Sequence, residues 1–465
     1  MAFMGYYVFG VDGLDAYLSG VLRPNSLVVF SGYPGSGKTT LASTVCFSNA
    51  LRGSRCLYLS FFEDRDKLFD NMFRLGLDLR KVESEGLLRF VKLPIIRSVS
   101  ELSGLLSNLV SEFRPDLIVL DSVNALLSSI PDADRAVLHN TIYELPRLIN
   151  GLVVVIAELY GGNDDLRSIY YVADVVLVLS YRSEGGLVSR VLEVKKVRGG
   201  AVTISELPFT ILGNVGLKVL VPPILEDLGM EGRELDLVCS GLRKVLDHIH
   251  LGWSVYVSYS PYFRPISLPL LATGLHVGNG LRGLVISYIY SGEVVERNFL
   301  RALRHYGVRG DIARDVVRKH FIFKSFNPYS YSVGELALRE LSLIERHKPD
   351  TVIFQGVEVL SGVYPDRDYL RQLYNQINYL KHKGLLVIRS GGYINPQIHK
   401  WNTSLADVHI GYRIRRNDDK VTPEALIWRR NTPTPHILNQ EDIDNCCKEM
   451  ASIIQSKYVN TDLKT

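Results

Sequence analysis

The run Gly32-Tyr-Pro-Gly-Ser-Gly-Lys-Thr39 constrains this chain more than any other feature. It follows the apolar stretch Leu27–Phe30 and precedes the helical-period segment Leu41–Ala50. A glycine-rich turn between a buried strand and a helix lets successive backbone N–H groups point inward, and the helix N-terminus adds its positive end. In that context the pattern GxxxxGK[ST] cradles phosphates. Gly32, Pro34, Gly35, Ser36, Gly37 and Thr40 are expected to line the cradle. Lys38 is expected at the β- and γ-phosphates and the Thr39 hydroxyl on magnesium, so ATP with Mg2+ is the expected ligand.

A strand ending in a phosphate loop requires neighbours. Ser26–Ser31, Cys56–Phe61, Leu117–Leu120, Gly151–Ala157, Val175–Ser180 and Val191–Lys195 read as buried strands, several of them uninterrupted Val, Leu and Ile. Such runs suit a parallel sheet covered on both faces. Asp66–Leu75 and Ser100–Glu112 between them have helical period. Strand–helix alternation of this kind predicts an α/β domain wound around a central sheet.

Two further pieces belong beside the loop. Leu117-Ile-Val-Leu-Asp121-Ser122 ends a buried strand in an acid, which places Asp121 at the sheet's carboxyl edge, where it can hold magnesium largely through water. Phe61-Phe62-Glu63-Asp64 ends the strand between these motifs, and Glu63 is the candidate to orient the attacking water.

At 465 residues the chain exceeds one ordinary core and predicts two domains. The Pro- and acid-bearing stretch 222–231 reads as the linker, and the residues beyond it repeat the first half. "SLVVFSGYPG" at 26–35 parallels "WSVYVSYSPY" at 253–262, and "CLYLSFFED" at 56–64 parallels "GLVISYIYS" at 283–291. "PDLIVLDSVNALLS" at 115–128 parallels "PDTVIFQGVEVLSG" at 349–362, and "GLVVVIAELYGGN" at 151–163 parallels "GLLVIRSGGYIN" at 384–395. "ADVVLVLSYR" at 173–182 parallels "ADVHIGYRIR" at 406–415. An offset that stays near 230 residues in the same order indicates a tandem duplication. The domains are therefore expected at 1–225 and 226–440, with a tail at 441–465 forming a peripheral or partly disordered helix.

The order "GLDAYLSG", "GYPGSGKTT", "LSFFED", "VLDSVNAL", "YVADVVLVLSYRSEGG" and "LEVKKVRGG" resembles the KaiC branch of the RecA superfamily over residues 8–200, and in degraded form beyond them. The resemblance implies two tandem RecA-like domains, each a mostly parallel sheet flanked by helices. It also implies a homo-oligomer, expected as a hexamer, in which Lys196 and Arg198 of the final-strand Lys-x-Arg pair reach a neighbour's γ-phosphate. An arginine supplied in trans is worth ~10³–10⁵ in rate. One departure is Phe62, which stands where the family carries the first of two adjacent glutamates, so slow hydrolysis is expected. Opposite Lys38 the second half has Pro265, opposite Glu63 Tyr290 and opposite Asp121 Gln355. The Lys-x-Arg strand becomes Trp428-Arg429-Arg430-Asn431, so the second half is expected to be a pseudo-ATPase that has lost every catalytic position and has no autokinase activity.

The functional expectation is a KaiC-type ATPase coupling nucleotide state to assembly and to an unknown protein partner. Two alternatives are a RecA/RadA-like DNA-binding ATPase and a non-hydrolysing ATP-dependent scaffold resembling the archaellum-motor relative. The net charge of +4 divides into about −1 over 1–225, about +7 over 226–440 and about −2 in the tail, so nucleic acid is possible. It is not favoured, because the segments 128–135 and 160–167 carry Asp132, Asp134, Asp164 and Asp165, which repel phosphate. Five cysteines without CxxC spacing read as reduced thiols, and no histidine shares metal-ligand spacing. The N-terminus lacks a signal-peptide pattern and no apolar run reaches membrane length, so the cytoplasm is the expected compartment; the resemblance alone implies an archaeal source.

Overall fold

The computed structural model describes residues 6–159, 165–184, 186–222, 232–417, 420–430 and 434–462. Most of the expected linker, and Tyr160–Asp164 of one acidic segment, lie outside these residues. The chain divides into two units, Met1–Val221 and Pro222–Thr465.

In the first unit β1 (Ser26–Gly32), β2 (Cys56–Ser60), β3 (Leu88–Lys92), β4 (Leu117–Asp121), β5 (Leu152–Glu158) and β6 (Val175–Glu184) are followed by β7 (Leu187–Val197), β8 (Glu206–Leu212) and β9 (Gly216–Val219). They form one sheet in the order β3-β2-β4-β5-β1-β6-β7-β8-β9. The first six are parallel and the last three antiparallel. All seven β1 residues are buried. Val28 and Phe30 pack into the core on one face, Leu27 and Val29 into the core on the other. Apolar residues at every position thus form a strand here, because both faces are covered. The helix Val99–Phe113 shows the other period: Leu102, Leu106, Leu109 and Phe113 are buried along one stripe, and Ser98 caps its start by accepting from the Glu101 N–H.

The second unit opens with β10 (Glu234–Leu235) and β11 (Ile249–His250), a separate pair. Its main strands are β12 (Ser254–Tyr259), β13 (Gly283–Ser287), β14 (Phe321–Ser325), β15 (Thr351–Gln355), β16 (Leu386–Gly392), β17 (Val408–Asn417), β18 (Lys420–Arg429) and β19 (His436–Leu438). Their order is β14-β13-β15-β16-β12-β17-β18-β19, the permutation of the first sheet without, among the described residues, a counterpart of β9. The duplication extends to single hydrogen bonds. Ser60 Oγ accepts from Glu63 N at 3.1 Å and Ser287 Oγ from Tyr290 N at 3.0 Å. The Asp121 carbonyl accepts from Phe61 N and the Gln355 carbonyl from Tyr288 N, both at 3.0 Å.

Four expectations are corrected. First, Arg198 N donates to the Asp174 carbonyl and Arg430 N to the Asp407 carbonyl, both at 2.8 Å. Each arginine also sits beside that aspartate's carboxylate, at 3.6 and 3.8 Å. Arg430 is therefore the counterpart of Arg198, and the second unit keeps this arginine; a bulge at Val176/Leu177 hides the register from a linear comparison. Second, the helix expected after residue 440 is present but is not peripheral. The helix Gln440–Asp462 buries Ile443, Cys447, Met450 and Ile454, a helical stripe that packs into the second unit. Third, the cysteines are mostly paired: disulfides join Cys46 to Cys56 and Cys239 to Cys446, leaving Cys447 as the free thiol. Folding brings together residues whose sequence spacing shows no motif. Fourth, donor atoms of Glu234, His248 and His250 lie within 4.8 Å of one another, although the cation beside them is the chain's own Arg429, whose Nη2 donates to His248 Nε2 at 3.0 Å.

Candidate nucleotide site

β1 lies between β5 and β6, where the strand order reverses direction, and its carboxyl end is the place at which open α/β sheets bind ligands. The turn after it is built to the shape of a phosphate loop. Gly37 has φ 105°, a left-handed conformation that L side chains avoid, and hands the chain directly to the helix Lys38–Ala50. Gly32 makes the closest approach: a Cβ there would fall 2.1 Å from the Leu179 carbonyl oxygen. Pro34 and Gly35 are exposed at the tip, whereas Ser36 and Thr40 are buried. Ser36 Oγ is buried without a hydrogen-bond partner, a donor positioned for an oxygen the chain does not supply.

Lys38 is buried, and its Nζ donates to the Tyr33 carbonyl at 3.0 Å. Burial lowers its pKa, while the carboxylates of Glu158 and Asp121 oppose that shift. Thr39 Oγ1 donates to Asp121 Oδ2 at 3.0 Å, and the Tyr58 hydroxyl donates to the same oxygen at 2.8 Å. Burial raises the Asp121 pKa, and these two hydrogen bonds and Lys38 work against it. Glu63 is half-buried at the end of β2; burial first, and Asp121 second, raise its pKa.

Lys38, Thr39, Asp121 and Glu63 are thus gathered at one sheet edge. Lys196 and Arg198 are not. β7 runs antiparallel, so Val197 pairs with Val175, which is level with Val28 at the far end of β1. Four residues of strand separate that level from Gly32, about 13 Å. There Lys196 Nζ donates to the carbonyls of Tyr170 at 3.0 Å and Tyr171 at 2.7 Å. Arg198 Nη2 donates to the Tyr171 carbonyl at 2.9 Å. Within one chain, these two cations face away from the phosphate loop.

Sequence patterns alone miss three residues of the site. Tyr58 lies mid-strand and reads as core, yet its hydroxyl holds Asp121. Glu158 ends β5 beside Gly32 and acts electrostatically on both Lys38 and Asp121; its signal is an acid closing a buried apolar strand, as Asp121 does. Asn124 fixes the backbone there, accepting from Glu158 N at 2.6 Å and donating to its carbonyl at 3.0 Å.

A parallel sheet flanked on both faces, a phosphate loop at the switch point and an acid on the adjoining strand edge define a RecA-type P-loop domain. The comparisons narrow that class. Residues 8–223 match the family model of the KaiC ATPase. The chain is similar to the circadian clock oscillator protein KaiC of Picosynechococcus sp., 29% identical over 200 residues that make up 41% of this chain and 38% of that protein. It is similar to the KaiC of Nostoc sp. at 28% over 200 residues, again 41% of this chain and 38% of the relative. The clock protein KaiC3 of Synechocystis sp. is 27% identical over 195 residues, 41% of this chain and 39% of the relative. The match to the KaiC ATPase family thus covers the first unit, under half of the chain, and the chain spans under two fifths of these relatives' length.

Proposed function

We propose that the first unit binds ATP with Mg2+ and hydrolyses it slowly, and that nucleotide state sets the assembly of identical subunits, as a hexamer, and their contact with a protein partner. The observation that carries this reading is the convergence of Lys38, the Thr39–Asp121 pair and the unpartnered Ser36 hydroxyl on one glycine-built cradle.

The residues fit the group. Bound ATP with Mg2+ supplies the phosphoryl group to be transferred and the charge that polarises it. Lys38, now on the Tyr33 carbonyl, is within its own loop's reach of the β- and γ-phosphate positions. Thr39 and Asp121 would hold the metal, and the Tyr58 hydroxyl orients the Asp121 carboxylate and favours its anion against the effect of burial. Glu63 accepts a proton from water; its raised pKa makes it a stronger base than an ordinary carboxylate. Lys196 and Arg198 complete a neighbour's site, which is consistent with their lying at the sheet edge opposite their own loop.

The second unit serves as a pseudo-ATPase without autokinase activity. Pro265 has neither the ammonium nor the N–H of a phosphate loop, and Gln355 cannot supply the charge of Asp121.

The test is ATP turnover per subunit against protein concentration, with Lys38→Ala as the blank. A specific rate that rises with concentration and vanishes in the variant is expected. Turnover at the level of the blank despite tight ATP binding would replace hydrolysis with a nucleotide-gated scaffold.

A further inference from the structure

The second unit closes its sheet differently from the first. In the first unit β8 carries Phe209 and Ile211 against the end of the phosphate loop, where a Cβ on Gly37 would meet Ile211 at 2.9 Å and Phe209 at 3.7 Å. The counterpart β19 is only His436–Leu438, and the chain then turns into the helix Gln440–Asp462, tied back to Cys239 by Cys446. Between that helix, the helix Ser267–Asn279 and the sheet lies a cavity of about 550 Å³. Protein interiors leave few voids larger than a water molecule. A volume of this size instead falls within the roughly 300–1,000 Å³ of ligand sites.

Its shape and lining are specific. Val255, Val257 and Tyr259 line it in succession, so it follows one face of β12 for about 13 Å. Leu246, Val408 and Ile427 make its deep end wholly apolar. Polar groups gather at the other end, where the strands finish: Arg264, Tyr290, Gln355 and, from the helix Gly292–His305, Arg301. Both arginines are exposed, and no carboxylate lines the cavity among the described residues. Arg264 is stacked on the Tyr290 ring at 4.9 Å and hydrogen-bonded to its hydroxyl, which holds the guanidinium at this mouth. Gln355 Oε1 is buried there without a hydrogen-bond partner.

We propose that this cavity binds an elongated aliphatic molecule with a single anionic head, of the fatty-acyl class, with its chain along β12 and its head at Arg264 and Arg301. Apolar walls one helix layer deep suit a flexible hydrocarbon chain; Glu358, outside the lining, acts electrostatically on Arg264, and the two arginines of the mouth outnumber this one carboxylate and favour a negative head. Where the first unit has a phosphate cradle, the second thus has the mouth of a lipid site.

The experiment uses the full chain and cis-parinaric acid, whose fluorescence rises on burial. Saturable binding of one molecule per chain is expected, displaced by oleate or by lysophosphatidate. Tighter binding of oleate assigns the free acid as the source of the head, and tighter binding of lysophosphatidate assigns the phospholipid. Arg264→Ala, at an exposed position, should weaken the anionic competitors about tenfold and leave oleyl alcohol unchanged. Val257→Trp should abolish binding while circular dichroism and ATP binding stay as in the parent chain. No displacement by either anionic lipid overturns the site. Undiminished binding by a folded Val257→Trp chain does the same. An equal loss of oleate and oleyl alcohol in Arg264→Ala overturns the role of the charge.

Discussion

At Asp121 opposing influences meet on one buried carboxylate, the proposed metal ligand. Burial favours its neutral acid, and two hydroxyl donors, from Thr39 and Tyr58, favour the anion. Tyr58→Phe removes one donor without changing the ring packed against Phe90. The Mg2+ concentration for half-maximal turnover should then rise about tenfold, read from turnover against added Mg2+. Glu63 has a different sensitivity. Its pKa is raised by burial and by Asp121, and in the proposed role of base it would work only when ionised. Turnover should therefore fall on the acid side at a pH above that of an ordinary carboxylate. Glu63→Gln should lower turnover by ~10²–10⁴ and remove that acid limb, with ATP affinity unchanged. Glu63 and Asp121 are legible in the sequence because each ends a recognisable strand beside a recognisable loop. Tyr58 is not, since an aromatic residue within an apolar strand looks the same whether or not its hydroxyl is used.

At the scale of elements, β16 departs furthest from its counterpart. β5 is apolar throughout its centre, whereas β16 places Arg389 in the interior. The arginine donates to Gln376, Tyr369 and Asn402 at 3.1–3.2 Å, and Gln376 and Tyr288 donate in turn to Glu340. Burial pushes the Glu340 carboxyl up to about 7, against these donors and Arg389. The folded chain therefore holds a proton at Glu340 that the unfolded chain releases above its ordinary value near 4.5. That contribution is fully present below the ordinary value and is lost as pH rises towards 7. Thermal unfolding should show this decline across the window, and Glu340→Gln should flatten it. The disulfides offer a second test at this scale. After denaturation without reductant, mass spectrometry should find alkylation at Cys447 alone. Apolar runs and helical stripes expose the strands and most helices in the sequence. The polar network and the disulfides stay hidden because their members come together only when separate elements pack.

For the whole molecule, the decisive geometry is that Lys196 and Arg198 lie at the sheet edge away from their own loop. If they complete a neighbour's site, Lys38→Ala and Arg198→Ala chains should each be inactive alone and regain part of the turnover when mixed, since mixed interfaces pair an intact loop with an intact arginine. No recovery, with mixed oligomers confirmed by native mass spectrometry, would put both residues to work within one chain. The shared strand order of the two units shows what duplication preserved: a buried sheet tolerates the loss of loop residues as long as its apolar register is kept.

By itself the sequence determined the two α/β sheets, their repeat and the phosphate loop, because these depend on local order: apolar runs, glycines at a turn, an acid at a strand end. Tertiary structure decided the rest. It matched Arg430 to Arg198 across a bulge and drew the C-terminal helix into the second core. It also joined cysteines 207 residues apart and left a cavity between β12 and the helices Ser267–Asn279 and Gln440–Asp462. Each of these depends on distances between segments remote in the chain, which packing sets and local pattern does not encode.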